Sequence, residues 1–265
     1  VGLLLGVGAL ALVLFTAIRY TGVAAAIMAA SLAMFAFCAW SARVLFGAPG
    51  AARFILIAVP IGWFAEQMGS SRGWFFGRYT YTDVLGPALG NVPLVIPLMW
   101  FALCHVGYVM ANLMLWQRPV DEIGRPGRIA LGALLAAMVV TAFDLGADPY
   151  FVFVLKAWIM QKTDGGWFGE TLQGFVGWMF IGGLILVLFR LALRWPARTP
   201  ITPETSRAVL VPLIIYASGL VFQLFFGHPI ETRAIAVFAM GIPLVVSVAS
   251  WQAWRRSASA IGGAA

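Results

Sequence analysis

Eight apolar stretches, at about 2–18, 22–46, 53–69, 93–116, 128–147, 172–195, 208–226 and 233–253, divide the chain and decide its fold class. A bilayer core of about 30 Å takes roughly 20 apolar residues per helical crossing, and each stretch is near that length. Inside a bilayer the backbone must satisfy its own hydrogen bonds, which a helix does within one segment. The expectation is an all-α polytopic membrane helix bundle with about eight transmembrane helices, or seven if the first two stretches form a hairpin that does not fully cross. Because 62% of the 265 residues are hydrophobic and only 10% charged, no room is left for a separate soluble catalytic domain. Residues 1–265 are therefore expected to form a single transmembrane domain. The first stretch lacks a basic leader and a clear small-residue cleavage site, so it is expected to be a retained helix. Cys38 and Cys104 both lie within apolar runs and are expected to serve packing.

The formal charge of +7 does not point to nucleic acid, because the 17 basic residues are scattered over the connections and never form a run. Their distribution is topological. Eleven of the 17 fall on the even-numbered connections and the C-terminus, among them Arg43, Arg53, Arg118, Arg125, Arg128, Arg190 and Arg207. That excess leads to the expectation that both termini are cytoplasmic. The membrane expected for the protein is a bacterial inner membrane. The groups Arg118–Arg128 and Arg190–Arg207 are expected to be solvated inner loops. Seven of the ten acids, including Glu66, Asp83, Asp144 and Asp148, gather on the opposite, outer side. Acid chemistry is to be sought there.

Two outer connections are long, rich in glycine and aromatics, and too apolar to lie free in water. Residues 69–92 and 148–171 are expected to be re-entrant or interfacial segments, since irregular backbone at membrane depth needs protein or a wet cavity to satisfy it. They share a fragment, Gly73-Trp74-Phe75-Phe76-Gly77 and Gly165-Gly166-Trp167-Phe168-Gly169.

Glu66, near the outer end of the third stretch, either faces the bundle interior or solvates a helix end; intramembrane acids are functional candidates by default. Asp144 and Asp148 are four apart and share one helix face. Pro149 is expected to end that helix, because proline disfavours the α conformation of the residue before it. The pair has three readings. Mutual repulsion and apolar surroundings would hold one carboxyl protonated as an acid; the two would hold Mg²⁺ for a diphosphate; or they cap an exposed helix end. Aromatics crowd the same side: Trp63, Trp74, Phe76, Tyr79, Tyr81, Trp158, Trp167 and Trp178. They form either an interfacial belt or a wall whose ring faces stabilise a carbocation. In an extended segment Tyr79, Tyr81 and Asp83 would point the same way.

Two histidines, His105 and His228, are too few for a membrane di-iron site, so no metal is expected. The last three stretches contain no lysine for a retinal-type Schiff base, and nucleotide and zinc motifs are missing from the sequence. No cofactor is expected.

Several separated motifs occur in order: Glu66-x-x-Gly69-x-x-x-Gly73-x-x-Phe76-Gly77-x-Tyr79-x-Tyr81, then Pro93-Leu94-x-x-Pro97-x-x-Trp100, then Asp144-x-x-x-Asp148-Pro149, then Gly165-x-x-x-Gly169 with Phe175-x-Gly177-Trp178. Over about residues 60–180 this constellation resembles the membrane carotenoid biosynthesis family that includes the carotenoid 1',2'-hydratases and bisanhydrobacterioruberin hydratase. The resemblance implies a lyase that adds water across the terminal 1',2' double bond of an acyclic carotenoid end group, giving a tertiary alcohol. The partners would be the carotenoid substrate and membrane lipid. For that chemistry the residues here are assigned Asp144 or Asp148 as the acid, Glu66 as its partner in holding water, and Tyr79 and Tyr81 as orienting hydroxyls. Trp63, Trp74, Phe76, Trp100, Trp158, Trp167 and Trp178 would line the substrate site. A Mg²⁺-dependent membrane polyprenyl transferase and a non-enzymatic lipid or carotenoid carrier are the alternatives.

Overall fold

The computed structural model describes residues 22–162, 165–168, 171–193 and 199–262. The stretch 2–18 lies outside them, as do Arg19, Asp164, Gly169, Glu170, Arg194 and Arg198. Among the described residues, six helices are long and apolar enough to cross a membrane.

The first helical element, α1 (Val23–Arg72), is broken at Gly47, whose φ of 71° lies in the left-handed region that glycine enters without a Cβ clash. Its contacts show a reversal. Ser31 meets Met99, Cys38 meets the Ala102 carbonyl and Phe46 packs on Tyr108. Phe54 then stands against Phe101, and Glu66 has returned to Trp100. The stretches 22–46 and 53–69 are thus two arms of a helical hairpin along α2 (Val95–Trp116). That helix is the centre of the bundle, with every residue from Trp100 through Leu113 buried. Around it pack α1, α3 (Pro126–Pro149), α5 (Pro203–Phe226) and α7 (Gly241–Gly262), while α4 (Leu172–Ala192) lies mainly on α3. The outer faces stay apolar and exposed, as with Leu134 and Met138 on α3 and Val176 and Phe180 on α4. In water such surface would be costly; in lipid it needs no partner.

Two helix ends differ from the sequence expectation. Pro149 does not stop α3: the chain continues in a wide π turn (Tyr150–Val154), closed by Leu155 N–H donating to the Tyr150 carbonyl at 3.0 Å. Proline removes one N–H from the ladder, and the wider turn carries the helix past the gap. The last apolar stretch is split at Met240 into α6 (Glu231–Ala239) and α7. Pro243 has no N–H to give the Ala239 carbonyl, so the helix restarts there.

The connections 69–92 and 148–171 meet at one end of the bundle. Strand β1 (Tyr79–Tyr81) pairs antiparallel with β4 (Trp158–Met160), placing Tyr79 opposite Met160 and Tyr81 opposite Trp158. Between them in sequence, β2 (Ala88–Leu89) and β3 (Val92–Pro93) form a short hairpin leading into α2.

The opposite end has a feature the charge pattern misassigned. Arg190 is not in a solvated loop: it is 4% exposed, and its Nη2 donates to the Asp121 carbonyl at 2.9 Å. The Asp121 carboxylate is also buried and pairs with Arg128 at 2.8 Å. Burial pushes the Asp121 pKa up, but hydrogen bonds from Arg128 and the Ile123 and Gly124 amides outweigh it and leave the pKa below the usual value. Arg118, nearer the surface, pairs with Glu122 four residues on.

Candidate functional site

A cleft opens beneath the β1–β4 pair. The five residues expected to carry the chemistry line it: Glu66 from α1, Tyr79 and Tyr81 from β1, and Asp144 and Asp148 from α3. Strand alternation turns both tyrosines inward and leaves Thr80 exposed. The four-residue spacing does the same for the two aspartates.

Glu66 is 5% exposed and saturated with donors. Trp100 Nε1 donates to its Oε1 at 2.8 Å, and Tyr81 donates to its Oε2 at 2.8 Å. The Tyr79 hydroxyl donates to the same Oε2. An indole N–H only donates, and three donors on one carboxyl suit the ionised form, which only accepts. Burial first, and then the neighbouring Glu66 charge, push the pKa of both tyrosines well above the ordinary value, so they remain O–H donors at neutral pH. Asp148 lies close enough to Tyr79 to add to that rise. Asp144 is buried and Asp148 half-buried on the facing helix. The three acids share the cleft without closing on one point: among the described residues, no three His, Cys, Asp or Glu side chains come together as a metal-ligand set.

The walls are aromatic. Trp100 and Trp178 stack at 4.4 Å between ring centroids, with Phe76 about as near to one as to the other, at 6.0 and 6.4 Å. Opposite them, Trp158 stacks on Phe151 at 5.3 Å and meets Tyr81 edge-on at 5.8 Å. Ile96, Met99 and Leu103 complete the lining from α2.

Such a cleft joins a fixed carboxylate, two phenols and two further acids to an apolar chamber in a membrane bundle. The sequence profile of carotenoid biosynthesis proteins matches residues 3–248, nearly the whole chain. The chain belongs to this family. It is also similar to bisanhydrobacterioruberin hydratase of Haloarcula japonica, being 32% identical over 125 residues. That stretch takes in 47% of this chain and 39% of the relative, so the chain matches about two fifths of that protein's length. No solved structure matches the chain.

Within this carotenoid biosynthesis protein, Phe76, Trp100, Trp158 and Trp178 line the cleft. Trp63, Trp74 and Trp167 do not. Trp63 donates to the Leu89 carbonyl at 3.1 Å, Trp167 donates to the Leu145 carbonyl at 3.0 Å, and Trp74 is 51% exposed. Asp83 also stands apart, because Thr82 caps a 3-10 turn (Asp83–Leu85) that rotates Asp83 outward and brings Leu85 into the cleft. Sequence reading missed Ile96, Met99 and Leu103, although with Trp100 they repeat at helical spacing on one face of α2. Phe143 and Phe151, which flank the aspartate pair, also line the cleft and carry no pattern in the sequence that sets them apart from other apolar residues.

Proposed function

We propose that the protein is a carotenoid hydratase, a hydro-lyase that adds water across the terminal 1',2' double bond of an acyclic carotenoid end group and leaves a tertiary 1'-hydroxyl. The observation that carries this reading is the Glu66 carboxylate, clamped by Trp100, Tyr79 and Tyr81 in an aromatic-walled cleft that Asp144 and Asp148 also line.

Protonated Asp144 or Asp148 gives its proton to C2'. The π electrons form the new C–H bond and leave positive charge on the tertiary C1'. Ring faces of Trp100, Trp178, Phe76 and Trp158 stabilise that cation, and the fixed Glu66 charge opposes it. Water then bonds through its oxygen to C1' and loses a proton, which returns to the aspartate through the site's hydroxyls and carboxylates. Alkene plus water gives alcohol, and no electrons enter or leave. General acid catalysis of this type contributes about 10²–10⁴-fold.

The test is expression in a bacterium that accumulates lycopene, with the pigment read by mass and polarity. A more polar product heavier by one water per modified end is expected. Unchanged pigment that co-purifies with the protein would support a carrier instead, and prenylation that depends on Mg²⁺ and a prenyl diphosphate would support a transferase.

A further inference from the structure

Gly62, Glu66 and Gly69 are spaced four and three apart, so they share one face of the second arm of α1. Glycine in a helix interior weakens the helix relative to alanine, and each of these two is occupied from outside by a donor to Glu66. A Cβ built on Gly62 would lie 2.7 Å from Trp100 Cγ and 2.8 Å from Trp100 Cβ. A Cβ on Gly69 would lie 2.9 Å from the Tyr79 hydroxyl oxygen and 3.1 Å from Phe76 Cδ2. Trp100 reaches one carboxylate oxygen and Tyr79 the other. The missing side chains above and below Glu66 are the seats in which its two donors sit.

We propose that Gly62 and Gly69 are positioning residues, which set the orientation and hydrogen bonding of the Glu66 carboxylate by admitting Trp100 and Tyr79 against the helix. Their effect on turnover rests on the hydratase reading; their effect on the carboxylate does not. Neither glycine touches the reacting atoms. Both act through the donor each one seats, and a Cβ at either site must shift that donor. A misplacement of about 1 Å at a reacting site is enough to cost on the order of 10²-fold in rate.

The experiment is isotope-edited infrared spectroscopy of protein carrying carboxyl-labelled glutamate, with the Glu66 band identified as the one lost in Glu66→Gln. Gly69→Ala and Gly62→Ala are each expected to shift that band and to slow hydration about 10²-fold. Gly183→Ala is the control, since a Cβ there meets nothing within 4 Å. In a Tyr79→Phe background, Gly69→Ala is expected to cause little further shift, because the hydroxyl it displaces is already gone. If Gly69→Ala fails to accumulate, the Gly69→Ala/Tyr79→Phe double variant is expected to recover accumulation. A Glu66 band at the wild-type position in both alanine variants, full additivity with Tyr79→Phe, or failure of that recovery would overturn the proposal. A shifted band alongside a wild-type protein that hydrates nothing would overturn the hydratase reading alone.

Discussion

At the scale of single residues, the three acids divide by environment rather than by type. Glu66 accepts from three donors and is held as a fixed acceptor, and under the proposed hydratase reading proton donation falls to the aspartates on the facing helix. Exchanging the donor for its amide keeps size and removes the transferable proton. Asp144→Asn or Asp148→Asn, whichever residue donates, is therefore expected to lose about 10²–10⁴ in rate with normal accumulation. Glu66→Gln is expected to lose activity too, since the amide presents an N–H₂ where one of the donors must point. Conversion of an acyclic carotenoid by each purified variant checks the series. Near-normal turnover in all three would remove these residues from the site. Glu66 and the aspartates were legible in the sequence because charge in an apolar run is conspicuous. Gly62 was not, since the reason for a missing side chain lies in Trp100, 38 positions away.

At the scale of elements, the site depends on two strands too short to find by pattern. β1 and β4 are three residues each and lie within connections separated by two membrane helices. Their pairing helps hold Tyr79 and Tyr81 over Glu66. Proline cannot donate to a ladder, so Ile159→Pro, at the exposed position opposite Thr80, is expected to cost on the order of 10²-fold in rate while the helices stay folded. Unchanged activity with helical circular dichroism intact would show that the pairing does not place the phenols. At the other end, Asp121 ties the 117–125 loop to Arg128 of α3 and Arg190 of α4. Removing one partner of a buried pair leaves the other uncompensated, so Asp121→Asn is expected to cost on the order of 3 kcal/mol in detergent unfolding measurements. Because the folded-state pKa of Asp121 is depressed, its contribution is full above the unfolded value near about 3.9 and is lost as pH falls below it through the folded value. A variant whose stability matched the wild type at pH 7 would contradict that role. The bounds of α2, α3 and α4 were legible from hydropathy to within a few residues, whereas α5 begins at Pro203, ahead of the expected 208, and α7 runs to Gly262, past the expected 253. The π turn after Pro149 and the break at Met240 were not, because each depends on how one proline's missing N–H is accommodated.

At the scale of the whole molecule, lipid-facing apolar surface surrounds one central helix, with acids and aromatics gathered at one end and the Asp121 cluster at the other. The excess of basic residues on the Asp121 side leads to the expectation that this end, with the termini, faces the cytoplasm. Reporter fusions at the C-terminus and near Gly165 should then report opposite sides, and agreement between them would overturn the topology. The bundle was legible from the sequence because lipid demands long apolar helices, whereas the cleft arises where two distant connections cross, which no local pattern encodes. Hydration itself is tested most directly by incubating the purified protein with an acyclic carotenoid, without dioxygen, in isotopically labelled water. The label is expected in the new tertiary hydroxyl, one atom for each modified end. A product that forms only with dioxygen, or whose hydroxyl carries no label from the water, would contradict the addition of water at this site.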